Sequence, residues 1–203
     1  MFLRHLLVLL AVSLPASAAS PPGAAHRLEK ATFAGGCFWS MQRDMEPIPG
    51  VVSVISGYTG GTKVNPTYEE VSAGDTGHAE AVEILFDPAK ITYRQLLDHF
   101  WRNVDPTTVG RQFCDRGPEY RSEIFFHSAE QKMSAEESKR EIERTKTFPE
   151  PIVTQIVAAG HFYRAEEYHQ DYPKKNPIRY HSYRTGCRRD ARLRELWGKT
   201  PES

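Results

Sequence analysis

The sequence predicts an α+β fold, a mixed or antiparallel sheet covered by helices, and three features carry that expectation. Strand-like and helix-like segments mix without the regular alternation of a parallel βαβ sheet. Tyr93, Leu96, Leu97, Phe100, Trp101 and Val104 fall at helical spacing behind a Thr92–Gln95 capping box. His78 to Phe86 alternates with period two and stops at Asp87-Pro88, as a strand would.

The other elements follow in order. Lys30 to Ala34 reads as a short strand running into Gly35-Gly36. Phe38 to Met45 has helical character until Pro47 and Pro49 stop it. Val51 to Ser56 is a second strand, and Gly57-Tyr58-Thr59-Gly60-Gly61 reads as a loop by its glycines. After the Thr92-capped helix, Asp105 to Glu119 is a long loop carrying Cys114, and Arg121 to Phe126 is a strand. Ser128 with Gln131 caps a charged helix reaching Lys146. Ile152 to Ala158 is strand-like, and Tyr163 to Tyr168 reads as a helical turn or two. From Pro173 the chain reads as an irregular, mobile tail to residue 203, with one short helix near Ala191 to Trp197. The expected architecture is a ferredoxin-like two-layer core with an irregular C-terminal segment.

Met1 to Ala18 has the form of a secretory signal. Arg4 and His5 precede the apolar run Leu6 to Val12, and Ala16-Ser17-Ala18 fits a signal peptidase site. Residues 19–27 then form a flexible leader containing Pro21-Pro22-Gly23. The expectation is an exported protein, cleaved near Ala18 and destined for the periplasm, with residues 28–203 as one domain. The alternative is an uncleaved membrane anchor. About 180 residues remain, enough for one full core. The 26 basic and 26 acidic residues cancel, so no global field favours nucleic acid or an acidic membrane. Arg184, Arg188, Arg189, Arg192 and Arg194 gather locally but are broken by acidic and apolar neighbours, and read as a solvated tail. No dinucleotide-binding glycine pattern or P-loop is present, so no cofactor is expected. The eight histidines lack metalloprotease-type spacing, and no metal is expected.

Three cysteines remain: Cys37, Cys114 and Cys187. An odd number in an exported chain admits two readings, one structural disulfide with a buried spare, or a thiol that reacts. Cys37 stands where a strand passes through two glycines into a helix, so the helix N-terminus would favour its thiolate. A buried cysteine among aromatic core residues is the alternative. Glu80 shares a strand face with Val82, Ile84 and Phe86, the apolar and therefore buried face. A carboxyl there should stay protonated near neutral pH and serve as a proton donor. The competing placement is the strand's exposed end, beside a lysine or arginine.

Taken together, Gly36-Cys37-Phe38-Trp39, Gly57-Tyr58-Thr59-Gly60-Gly61, Pro66-Thr67-Tyr68, Gly77-His78-Ala79-Glu80, Asp115-Arg116-Gly117 with Tyr120-Arg121-Ser122, and Tyr168-His169-Gln170 with Tyr172 resemble A-type peptide methionine sulfoxide reductases in content and order. The resemblance runs from about Lys30 to Trp197. It implies that Cys37 attacks the sulfur of methionine sulfoxide, of the S epimer, while Glu80 supplies a proton. Tyr68 and Tyr120 match the hydroxyls that hold the sulfoxide oxygen, Asp115 an acidic residue of the same pocket, and Phe38 and Trp39 the wall around the substrate methyl. It further implies a Cys37 sulfenic acid, an intramolecular disulfide and recycling by a thioredoxin-like dithiol, in a monomer that repairs oxidised proteins. Cys187 resembles the family's C-terminal recycling cysteine, with Cys114 as its rival. Ser40 stands where some relatives have a second cysteine, which excludes a local Cys-x-x-Cys shuttle. A single cysteine in the tail argues against a two-step relay there.

Two other functions fit a reactive Cys37. One is a cysteine hydrolase with His78 or His169 as base, which has no use for Cys187 or for a protonated Glu80. The other is a redox-sensing module without turnover.

Overall fold

In the computed structural model, which describes residues 27–198, the strands Glu29–Gly35 (β1), Val51–Thr59 (β2), Ala79–Phe86 (β3) and Ser122–Phe126 (β6) form an antiparallel core in the order β6-β1-β3-β2. Between them lie helices Phe38–Met45 (α1) and Tyr93–Arg102 (α3), which gives the split β-α-β arrangement of a ferredoxin-like core. Two edge strands complete the six. Gln155–Ala158 (β7) joins β6 in parallel through helix Ala129–Thr145 (α4), and Tyr163–Arg164 (β8) pairs antiparallel with β2. Residues 1–18, read from the sequence as a secretory signal, and most of the 19–27 stretch lie outside the described residues. No helix among the described residues is long and apolar enough to cross a membrane.

One face of the sheet carries the main core. Phe33, Val82, Ile84, Phe86 and Ile124 meet Phe38, Met41 and Met45 of α1 and Leu96, Leu97 and Phe100 of α3, all buried. The other face holds a smaller cluster, Ala34, Ala79, Ala81 and Phe125, partly covered by Phe162. Both caps read from the sequence are present: Thr92 accepts from Gln95 N–H and Ser128 from Gln131 N–H.

Four segments differ from expectation. β2 continues through Gly57-Tyr58-Thr59, which pair with Ala81, Glu80 and Ala79. Glycine is needed at 57 because a Cβ would stand 2.4 Å from both the Phe162 ring and the Tyr163 carbonyl. The loop after α3 holds a hairpin, Arg111–Gln112 (β4) with Asp115–Arg116 (β5). Tyr163 to Tyr168 is the edge strand β8 running into a 3-10 turn, not a helix. A short helix, Tyr68–Ser72 (α2), appears behind the Thr67–Glu70 capping box.

The irregular tail is the largest correction. The chain forms three helices, Tyr172–Lys175 (α5), Pro177–Gly186 (α6) and Arg189–Trp197 (α7). Arginines hold them, Arg189 buried and Arg184 half-buried. Arg184 Nη1 lies 2.9 Å from Asp44 of α1, and Arg189, 2 % exposed, donates to Asn103 O at 2.6 Å and to Gly35 O at 3.4 Å. These two arginines are therefore docking contacts and not part of a solvated face.

Candidate active site

The site begins at the turn between β1 and α1. Gly36 has φ +84, and a Cβ there would stand 2.6 Å from the Gln112 side chain. That conformation delivers Cys37 to the N-cap of α1, with its carbonyl accepting from Ser40 N–H at 3.0 Å. The helix-start position is as expected, but its effect on the thiol is not. The first free amide, Phe38 N–H, donates to Glu80 Oε2 at 2.9 Å. The carboxyl takes the first amide of the helix terminus.

Glu80 reaches that position because the alternation of β3 turns it inward with Val82 and Ile84. Burial pushes its carboxyl up to about 8, against the Phe38 hydrogen bond and with the charges of Asp115 and Glu119 adding to the rise. The exposed-end alternative is excluded: Glu80 is 2 % exposed and has no basic partner. Cys37 is also buried, and burial first, then the nearby Glu80 and Asp115 carboxylates, raise its thiol well above the ordinary range. The nearby Tyr183 hydroxyl and the Trp39 backbone amide act the other way. At neutral pH the resting pair is thus a thiol beside a carboxylic acid.

The other sequence-derived residues gather around this pair. The Tyr68 and Tyr120 hydroxyls feel the charges of Glu80, Cys37 and Asp115, and burial keeps both phenols protonated. Asp115 Oδ2 accepts from the Tyr183 hydroxyl at 2.5 Å. Phe38 is buried against Tyr58 and His169, while half-buried Trp39 stacks on Tyr172 with ring centres 3.7 Å apart. The result is an aromatic wall next to a thiol, an acid and two hydroxyl donors.

Three further residues support the site; the sequence assigned no role to Tyr183 or Glu166 and named His169 only as a candidate hydrolase base. Tyr183 donates to Asp115 near Cys37 and carries no motif; its spacing of four residues before Cys187 is the available signal. His169 accepts the Trp39 indole N–H at 3.1 Å and fixes that ring. Glu166 accepts from Tyr58 O–H at 2.8 Å and from Tyr68 N–H at 2.9 Å, setting the start of α2. Neither candidate base of a hydrolase is bonded to Cys37, since the His78 ring pairs with Gly61 N–H and Lys63 O.

The cysteine pairing departs from expectation. Cys187 is disulfide-bonded to Cys114, Cα atoms 4.8 Å apart, and Cys37 is free. Cys114, Asp115 and Cys187 also form a cluster of potential metal donors within 4.8 Å, but two of those atoms are the bonded sulfurs. A groove of about 1270 Å3 runs along another side of α1, past Asp44, Pro173 and Arg184, and holds neither Cys37 nor Glu80.

A buried free thiol with its own carboxylic acid, and a second, more exposed pair of sulfurs, define a thiol-dependent oxidoreductase built on a ferredoxin-like sheet. The chain matches the family described as peptide methionine sulfoxide reductase over residues 29–201, and it belongs to that family. It is similar to peptide methionine sulfoxide reductase MsrA 2 of Caulobacter vibrioides, 50 % identical over 197 residues, covering 97 % of this chain and all of the relative. Among solved structures it is similar to reduced Mxr1 of Saccharomyces cerevisiae, with TM-score 0.71, 34 % identity and coverage of 76 % and 88 % of the two chains. A structure of Mxr1 in complex with Trx2 is also similar, with TM-score 0.52, 27 % identity and coverage of 73 % and 86 %.

Proposed function

We propose that this protein reduces the S epimer of methionine sulfoxide, free or within proteins, and so repairs oxidised proteins. The observation that carries this reading is the Phe38 N–H···Glu80 contact, which holds a buried, protonated carboxyl beside the only free thiol among the described residues. Cys37 attacks the sulfoxide sulfur, Glu80 gives the oxygen a proton, and the Cys37 proton returns to Glu80. Thiol and sulfoxide become sulfenic acid and thioether with no net proton required. Tyr68 and Tyr120 hold the oxygen, Phe38 and Trp39 enclose the methyl group, and Asp115 completes the polar side. Cys187 then condenses with the sulfenic acid, releasing water and forming an intramolecular disulfide. A thioredoxin-like dithiol restores the enzyme, a reading supported by the Mxr1–Trx2 complex. The protein acts as a monomer.

With excess dithiol, a peptide carrying methionine S-sulfoxide should be consumed over many turnovers while the R epimer persists. A chiral separation of the products checks this, and equal consumption of both epimers, or of neither, would overturn it. The Arg4 to Ala18 pattern further supports export to the periplasm. The intact mass of the protein from a periplasmic extract should correspond to a chain beginning at Ala19. Full-length protein confined to the cytoplasm would contradict export.

A further inference from the structure

Cys114 is the one thiol that the proposed cycle leaves unused, yet it is bonded to the recycling cysteine. Its setting is unusual. The hairpin pairs Gln112 with Asp115, so Phe113 and Cys114 form a two-residue turn. Phe113 takes the first central position with φ +53, where glycine is the usual residue of turns with positive φ. The side chain is kept there by burial and by the Arg189 guanidinium, 4.4 Å above its ring. Gln112, fully buried, anchors the turn through Asp105 N–H and O. The exposed sulfur of Cys114 is therefore presented by a firmly held turn.

The elements around Cys37 lead to that sulfur. The Tyr183 hydroxyl donates to Asp115 and lies near Cys37; Cys187 follows one helical turn after Tyr183, and Cys114 immediately precedes Asp115. Cys37 is buried, Cys187 half-buried and Cys114 exposed. A cavity of about 230 Å3 opens beside Cys187, lined in part by Asp105, Phe113 and Arg192, which gives its side chain room to turn.

Resting on the reductase reading above, we propose that Cys114 is a third redox-active cysteine, the terminal acceptor of a relay that runs from Cys37 through Cys187 and the sulfur that the dithiol donor attacks. After the Cys37–Cys187 disulfide forms, the Cys114 thiolate attacks the Cys187 sulfur. The Cys114–Cys187 bond forms, the Cys37–Cys187 bond breaks, and the electron pair leaves on Cys37, which takes the proton Cys114 gave up. One donor thiolate then attacks Cys114 and expels Cys187. The donor's second thiol releases Cys114 as the donor becomes a disulfide. The relay moves the oxidised state from a buried sulfur to an exposed one and frees Cys37 before any donor arrives. A relay is thus possible with one tail cysteine, because the third thiol comes from the hairpin.

Electron accounting gives the test. Fully reduced wild type, mixed with excess sulfoxide and no reductant, should release about two methionines per chain, one leaving Cys114–Cys187 and one leaving Cys37 as sulfenic acid. Cys114→Ser should release about one and hold Cys37–Cys187; Cys187→Ser should release about one and hold Cys37 sulfenic acid. Mapping the disulfides of the wild type by mass spectrometry after one equivalent needs no variant, and should find Cys114–Cys187 with Cys37 as thiol. Finding instead Cys37–Cys187 with Cys114 free, or a Cys37–Cys114 bond in Cys187→Ser, would overturn the relay. Absence of methionine from every protein would remove the reductase reading itself, an outcome separate from either.

Discussion

Cys37→Ser is expected to form no methionine above background, with any thiol donor and at any pH. The reason is electronic and goes beyond acid–base chemistry. Reduction of a sulfoxide takes two electrons from the attacking atom, and sulfur can give them as it passes to sulfenic acid. A serine oxygen has no such oxidation step. Fold stability should change little, because the hydroxyl is slightly smaller, sits in the same 6 % exposed position and keeps Tyr183 and the Glu80–Phe38 contact as polar neighbours. A buried change of this size is worth about 1 kcal/mol, or roughly 2–4 °C in Tm for a chain of this length. Methionine release by chromatography and a thermal melt check the two halves. Any sustained methionine formation by a folded Cys37→Ser protein would move the nucleophile elsewhere.

The contrast between what was and was not legible in the sequence follows which forces leave a pattern. Helices α1 and α3 and strands β1, β3 and β6 bury apolar rows and α4 carries the Ser128 cap, so periodicity and caps located them within a residue or two. The C-terminal helices are held differently. Their anchors are Arg184 against Asp44 and Arg189 on the Gly35 and Asn103 carbonyls, and an arginine-rich segment reads as solvated when hydrophobicity alone is counted. Glycine misled in the opposite sense at Gly57, where it permits Phe162 to cross the strand instead of ending it.

The site divides along the same line. Glu80 was legible because Glu80, Val82, Ile84 and Phe86 share one face of β3, and a carboxyl in that apolar row stands out. Its effect on Cys37 was not, since the sequence places the sulfur at a helix start but does not say which group takes the free amide. The Cys114–Cys187 bond was beyond reach for a further reason: three cysteines allow any pairing, and spacing carries no information on which sulfurs meet in space. Asp115, sequence neighbour of Cys114, and Tyr183, one turn before Cys187, are the residues whose contacts make that pairing intelligible.

Glu80→Gln should separate the two consequences of burying an acid. In single turnovers the variant is expected to form the first methionine about 100-fold more slowly, the usual worth of a positioned general acid. The amide oxygen can still accept the Phe38 N–H, so the local geometry survives while the transferable proton is lost. In the wild type the rate should decline as pH rises through about 8, where Glu80 gives up its proton, and the variant should lack that limb. Stability falls with rising pH as well, but over a lower interval. The carboxyl has a higher pKa folded, about 8, than its ordinary value of 4.5. Between those values the folded chain holds a proton that the unfolded chain has released, so stability falls as pH rises through the interval and is flat beyond it. The lost stabilisation is on the order of a few kcal/mol. Glu80→Gln carries no such charge, so its melting curve should lose this slope, and at pH 8.5 the slower enzyme should be the more stable protein. A variant that reduces sulfoxide at the wild-type rate, or melts with the wild-type pH dependence, would show that Glu80 is neither the proton donor nor the strained acid of this site.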